Sequence, residues 1–255
     1  MVVTISATHD HFLRIGAAWY ICAVALLLHI ETAVAGASIA FSENERILVF
    51  KNTDEPRDAA AWLQVAIRDA AAEAGITLSA LDAVCVSNGP GSYTGLRVGL
   101  ASAKGLSYAL QKPLITLPTL QVMSAAALEG LRSGAAVQLN EVQALCPMID
   151  ARRQEVFTAL YDQALQELAP AHSLVLDENS FARELEAGPV LFFGNGSAKW
   201  RALTQHPHAL FTEGHPSARH MAGLGVAAFR AGQFADLAYC EPLYAKEFYT
   251  TMRPK

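Results

Sequence analysis

An α/β fold is what the sequence predicts, on three observations. Ala83-Val84-Cys85-Val86 is a β-branched run of buried-strand length, and it leads through a loop holding Gly89, Pro90 and Gly91 into a helix with small residues at Gly95, Gly99 and Ala103. Upstream, apolar runs at 27–33, 37–41 and 47–50 are separated by two turn-like breaks, the pattern of a three-stranded antiparallel meander. Downstream, short apolar runs alternate with helical patterns as far as the C-terminal tail. A chain of 255 residues, 52% of them hydrophobic, has enough apolar surface for one large domain or two small lobes.

Taken in order, the chain opens on an apolar stretch, 15–28, of roughly signal-peptide length. Asp10 precedes it with only Arg14 as a cation, no small-x-small cleavage site follows, and His29 and Glu31 close it short of the roughly 18 to 20 residues that span a bilayer. Its second half, 24–30, is therefore the first core strand, and residues 1–22 are an N-terminal extension whose order the sequence does not set. A cytoplasmic protein without a membrane segment is expected. Pro56 and Asp58 start a helix that Gly75 stops. Along it Trp62, Val65, Ala66, Asp69, Ala70 and Glu73 recur at three- and four-residue steps, which in a monomer is a core stripe. Ser92 or Thr94 caps the helix after the glycine loop, in which Leu96, Leu100 and Leu106 supply apolar bulk. A buried strand at 112–116 precedes a helix opened by Pro118, and 133–141 is a polar bridge. Two strands then turn at 150–153. A short helix at 181–186, a strand at 190–193, a second glycine turn at 194–197 into a helix near Ala198, and a helix at 216–232 complete the order. In that last helix Met221, Leu224, Gly225, Ala228 and Phe229 are expected inward. No internal repeat is visible.

The chemistry legible in these residues is sparse. A net charge of -5 argues against a basic face that grips RNA directly. Cys22, Cys85, Cys146 and Cys240 are far apart and form no CxxC pair, so buried, reduced thiols are expected. His206, His208, His215 and His220 cluster in sequence without HExxH or His-x-x-x-His spacing, and no metal site is expected. The glycine loop is neither a Walker A nor GxGxxG. A helix N-terminus behind glycines suits an anion, which makes Gly89, Gly91, Ser92 and Thr94 candidate anion or nucleotide contacts together with Glu31 and Thr32; a plain tight turn explains the same loop. Gly91-Ser92-Tyr93-Thr94-Gly95 is no GxSxG elbow, so peptidase chemistry has no support. Arg152 and Arg153 beside Asp150 read either as an anion contact or as a solvated turn.

The segment 88–106, NGPGSYTGLRVGLASAKGL, resembles the TsaB (YeaZ) family of tRNA threonylcarbamoyladenosine biosynthesis proteins. The stretch 145–161, LCPMIDARRQEVFTALY, and the Pro242-Leu243-Tyr244 ending agree with it. The resemblance implies a two-lobed actin-like (RNase H-like) fold with mixed sheets flanked by helices: residues 23–112 and 216–248 in the first lobe, 113–215 in the second. Where the superfamily carries Asp-x-Ser/Thr in its first hairpin, this chain has Glu31-Thr32-Ala33, which weakens the usual phosphate or metal arrangement.

The family's role implies a non-catalytic subunit that pairs with and activates TsaD, the transferase acting on adenosine 37 of tRNAs reading ANN codons. TsaE is implied as an ATPase partner, tRNA is reached through the complex, and a homodimer is expected in isolation. No cofactor is required; ATP or ADP would bind weakly or at the TsaD interface. The implied interface lies on the two helices and comprises Trp62, Val65, Ala66, Asp69, Leu96, Gly99, Leu100 and Ala103. The alternative is an actin-like ATP-binding enzyme, kinase-like or ATPase, acting alone; it would need acidic metal ligands at strand ends, for which Glu31 and Asp150 are the candidates.

Overall fold

A computed structural model describes residues 24–34, 36–54, 59–134 and 137–245. The extension at 1–22, the helix-start residues Pro56 and Asp58, and Cys22 lie outside the described residues.

The first sheet contains β1 (Leu26–Glu31), β2 (Ala37–Glu43), β3 (Arg46–Thr53), β4 (Ala83–Ser87) and β5 (Leu114–Leu117), in the order β3-β2-β1-β4-β5. β1, β2 and β3 form the expected antiparallel meander, while β4 and β5 join in parallel. The second sheet contains β6 (Ala144–Asp150), β7 (Glu155–Tyr161), β8 (Glu167–Val175), β9 (Val190–Phe193) and β10 (Ala209–Phe211), in the order β10-β9-β6-β7-β8. Its wiring duplicates the first: two antiparallel hairpin steps, then two parallel strands. This is the predicted pair of mixed sheets. The duplication is invisible in the sequence because what repeats is hydrogen-bond order and alternating burial, which many residue combinations satisfy.

α1 (Ala59–Glu73) and α2 (Tyr93–Leu110) cover one face of the first sheet, packing on Leu28, Ile30, Phe41, Val84 and Val86. On the other face a 3-10 turn at Ala218–Met221 and α6 (Ala222–Arg230) pack against Leu27, Cys85 and Ile115. Period-two alternation thus sends Leu28 and Ile30 one way, Leu27, His29 and Glu31 the other. α3 (Thr119–Arg132) lies on the second sheet through Leu120, Met123 and Ala127. Beneath that sheet, Phe181, Phe192 and Trp200 meet edge-to-face at 5.1–6.0 Å, joined by α4 (Ala182–Ala187) and α5 (Ser197–Arg201).

Two strands have no counterpart in the sequence reading. β8 is half exposed along its length and contains Pro170, which an edge strand tolerates, so its apolar signal is weak. β10 has only three residues. The helix expected over 216–232 is shorter because its first turn winds as 3-10, with Ser217 and His220 bonding each other at 3.1 Å.

Candidate functional site

The chain itself fills the glycine loop. After β4 the segment Asn88–Gly91, with a cis Gly89–Pro90 bond, reaches Ser92, whose Oγ accepts from Gly95 N at 3.3 Å and caps α2. Gly89 N donates to Thr119 Oγ1 at 3.0 Å, Ser92 N to Ala33 O at 2.6 Å, and Thr32 Oγ1 to Gly95 O at 2.8 Å. A Cβ at Gly91, Gly95 or Gly99 would overlap Ala33 O, Thr32 O or Thr32 Oγ1, and one at Gly89 would overlap Leu243 O. These glycines allow backbone to approach backbone. The turn after β1 fills the space an anion would take, so Thr32, Gly89 and Gly91 are packing residues; Ser92 and Thr94 remain on the exposed rim. The second glycine turn is built the same way: Gly196 N donates to Met148 O at 3.0 Å, and a Cβ at Gly194 would overlap that same oxygen.

Glu31, which as a strand-end residue reads as solvated or locally bonded, is the second of these: it is 2% exposed. Its Oε1 accepts from Ala33 N at 2.6 Å, and its Oε2 has no hydrogen-bond partner. Burial pushes its pKa up to about 7, against the opposing pull of the Ala33 N–H, the neighbouring Ser87 hydroxyl and the Val34 N–H. Ser87 Oγ itself makes no hydrogen bond of regular geometry. Glu31 belongs to the wall of a cavity of about 390 Å³ that also takes in Asn52 and Asp54 from the first sheet, Met123 from α3, Asn195 from the second glycine turn and His215. No Lys or Arg is among its described lining residues. A nucleoside polyphosphate would therefore meet two carboxyl groups and no described cation.

Asp150, at the matching end of β6, is exposed and tied to Lys199 at 2.8 Å, which holds its carboxyl below the usual range. Its N–H donates to Asn195 Oδ1 at 2.9 Å. Arg152 and Arg153 are exposed turn residues at φ 71° and 51°. Among the described residues no group of three or more His, Cys, Asp or Glu is placed to hold a metal. His206 and His208 meet edge-to-face, while His220 faces Ser217 and Glu129. Cys85 and Cys146 are buried thiols, their pKa values raised by burial.

The helix face needs a correction of phase. α1 buries Leu63, Ala66, Ile67, Ala70 and Ala71, so of the residues expected at an interface Ala66 belongs to the core and Trp62 is half-buried against it. Val65 and Asp69 do face outward. α2 buries Leu96, Gly99, Leu100 and Ala103. Leu100 and Ala103 pack with the chain's own sheet and α1, Gly99 lies against Thr32 and Val86, and Leu96 lies beside Gly89, because the small-residue stripe serves close packing inside the lobe. The open side of α2 instead shows Tyr93, Arg97, Ala101 and Tyr108, with Val65 of α1 46% and Tyr108 71% exposed. The C-terminal segment borders this face. Lys104 Nζ donates to Ala238 O and Cys240 O, Leu243 N donates to Asn88 O at 2.7 Å, and the rings of Tyr244 and Tyr93 lie 5.6 Å apart. Tyr239 there is 84% exposed, and Leu243 and Tyr244 are partly so.

A family model described as "TsaD: tRNA N6-adenosine threonylcarbamoyltransferase" matches residues 55–242. The chain belongs to this family. Several of its relatives carry the TsaB name. The Escherichia coli tRNA threonylcarbamoyladenosine biosynthesis protein TsaB is 25% identical over 86% of this chain and 94% of its own. Rv3421c of Mycobacterium tuberculosis is 30% identical over 88% of this chain and 92% of its own. The structure of YeaZ from Pseudomonas aeruginosa superposes with a TM-score of 0.71 at 26% identity, covering 86% of this chain and all but 1% of that one. The expected TsaB (YeaZ) resemblance therefore stands, and the two mixed sheets are the fold of YeaZ.

For a TsaB-type chain the site splits in two: an acidic cleft and an aromatic helix face. Of the helix residues that sequence reasoning named, Ala66, Leu96, Gly99, Leu100 and Ala103 are buried within the chain, and the exposed C-terminal tyrosines were not among them. The signal for Glu31 was present, since it continues the alternation of Leu27 and His29 toward the sheet face that α6 covers. Among the described residues no helix is long and apolar enough to cross a membrane.

Proposed function

We propose that this chain is the non-catalytic cytoplasmic subunit of the tRNA N6-threonylcarbamoyladenosine machinery, pairing with TsaD and holding it active for transfer to adenosine 37 of ANN-decoding tRNAs. The observation that carries this is the gathering of Val65, Tyr93, Tyr108, Tyr239, Leu243 and Tyr244, exposed large hydrophobic side chains, on α1, α2 and the adjoining C-terminal segment. Tyrosines beside an arginine are the composition of an interface centre. A partner of the same fold can offer the equivalent helices, giving a pseudo-symmetric contact, and a second copy of this chain can stand in when TsaD is absent. TsaE joins as the ATPase, and tRNA is reached through the complex, in keeping with the net charge of -5.

Reconstitution tests this. Threonylcarbamoylation by the cognate TsaD, TsaE and TsaC-type proteins should require this chain, and the chain alone should not turn over ATP. Robust ATP hydrolysis by the chain alone, with no effect on tRNA, would instead support the actin-like enzyme. Val65→Asp and Tyr108→Asp place a charge on the open face while leaving the buried stripe untouched. Each should weaken association with TsaD at least about tenfold in sedimentation or calorimetry, with the thermal midpoint nearly unchanged. Undiminished association in both would remove this face from the interface.

A further inference from the structure

The hairpin that joins β6 to β7 turns through Arg152 and Arg153, at φ 71° and 51°, and both residues are exposed. Glu155 N donates to Arg152 O at 3.1 Å and Ala151 N to Glu155 O at 3.0 Å, so backbone bonds hold the turn. Positive φ is unfavourable for a side chain with a Cβ, and glycine and asparagine are the residues that take it readily. Two adjacent arginines are thus kept in a conformation that costs stability, and contacts of their guanidinium groups do not offset it. Arg46, Arg68 and Lys199 pair with carboxylates, and Arg97, Arg201 and Arg219 lie over aromatic rings. Among the described residues the Arg152 and Arg153 side chains do neither. Asp150 beside them is already engaged: its carboxylate accepts from Lys199 Nζ at 2.8 Å and from Arg152 N at 2.6 Å. Strain kept where no internal contact needs it points to an outside partner.

The place of the turn selects the partner. It stands at the carboxyl end of β6, and Asp150 N donates at 2.9 Å to Oδ1 of Asn195, which lines the interlobe cavity. Neither arginine lines that cavity, so the two guanidinium groups lie outside the concave surface that would enclose a small molecule. A guanidinium presents a planar fork of donors that matches phosphate bidentately. Two forks side by side on an exposed tip suit an anion that repeats, and the sugar-phosphate backbone of RNA is such an anion. An acidic protein surface would fit the forks as well, but the face proposed to meet TsaD lies on α1 and α2 of the first sheet, and this turn belongs to the second. We propose that Arg152 and Arg153 contact the phosphate backbone of the tRNA when this chain sits in the complex with TsaD. The contact rests on the function proposed above and adds to it, since there the tRNA is reached only through the complex. Two phosphate contacts are too few to hold RNA without the partner, in keeping with the net charge of -5.

Fluorescence anisotropy of labelled tRNA, titrated with the reconstituted complex from about 50 to about 300 mM salt, tests this. The double variant Arg152→Asn/Arg153→Gly removes both cations and puts in residues suited to positive φ. Its complex should bind tRNA about tenfold more weakly at about 100 mM salt, with the slope of log Kd against log salt shallower by roughly two, one for each lost phosphate contact. The urea midpoint of the variant chain should be no lower than the parent's, because the strain has gone. Arg152→Lys/Arg153→Lys keeps both charges and should keep the slope. Arg46→Gln, beside the amino end of β1, should change neither affinity nor slope. Unchanged affinity and slope for the double variant would overturn the contact. So would a drop in its urea midpoint, which would mean that the chain itself holds the arginines in place. Weaker association with TsaD in sedimentation at unchanged tRNA affinity would overturn it too, and would assign the turn to a protein partner. A parent chain that does not associate with TsaD removes the proposed function, and the contact with it. Association and tRNA modification by the parent, beside undiminished tRNA binding by the double variant, removes the contact alone.

Discussion

Gly95→Ala should destabilise the fold by about 2–3 kcal/mol or more, whereas Gly105→Ala, ten residues along the same helix, should stabilise it by about 0.5–1 kcal/mol. Both changes add one methyl group to α2, and both remove the same backbone freedom from the unfolded chain. They differ only in what the methyl meets. At Gly105 nothing lies within 4 Å. At Gly95 the new Cβ overlaps the Thr32 carbonyl oxygen, a backbone atom that cannot rotate away, and Thr32 is itself pinned by its Oγ1 bond to Gly95 O. Relief requires moving the turn after β1 or the first turn of α2, and either movement strains the Ser92 N to Ala33 O bond of 2.6 Å. Urea unfolding of the two variants beside the parent measures the difference as opposite shifts of midpoint at equal slope. Equal behaviour of the two would show that the helix and the turn do not approach as described, and the packing account of the glycine loop would fail with it. Gly99→Leu should be worse still, since the larger side chain would be driven into Thr32 Oγ1 and Val86.

That contrast also explains how much of this protein is legible in its sequence. Strand and helix order was readable where alternation or turn residues are strong: Leu27 to Phe50 as a meander, Val84 into the glycine loop, Leu145 to Tyr161 as a hairpin. Strands with little apolar character, such as Glu167–Val175, leave no such mark because an edge strand is held by backbone bonds that any sequence supplies. Function-bearing positions were harder for a different reason. Gly95, Gly99 and Ala103 form a stripe that permits close approach, but the sequence does not say whether the approaching body is a partner or the chain itself; here Thr32 and α1 take the place. Tyr93 and Tyr244 are 151 residues apart in the sequence, so no local pattern brings them to one face.

The pH dependence of stability should carry opposite signatures from two side chains two residues apart on β1. His29 is fully buried, its Nε2 bonded to Ser42 Oγ at 2.8 Å and its Nδ1 unpartnered, and burial lowers its pKa from 6.5 to about 3. Glu31 moves the other way, from 4.5 to about 7. Between pH 3 and 6.5 the unfolded chain protonates this histidine and the folded chain does not, so the unfolded state binds more protons and stability falls as pH falls. Between 4.5 and 7 the folded chain keeps the Glu31 proton that the unfolded chain has released, so stability falls as pH rises. From 4.5 to 6.5 the two slopes, each about 1.4 kcal/mol per pH unit, cancel. From these two groups the parent should show a plateau there, a steep loss in more acid solution from His29, and a small loss toward neutrality from Glu31. Glu31→Gln removes one slope. Relative to the parent its stability should climb across 4.5 to 7 and end about 3 kcal/mol higher at pH 8, provided the amide finds the partners the acid has. His29→Gln should do the reverse, gaining on the parent as the solution is made more acid below 6.5. Urea midpoints from pH 4 to 8 for the three proteins, read as differences so that the other carboxylates drop out, test both signs at once. Parallel profiles for the parent and Glu31→Gln would mean that the folded protein ionises this carboxyl as readily as water does. The β1 strand end would then be wetter than its burial implies, and the cleft would lose the unsatisfied acid that distinguishes it from a plain crevice between lobes.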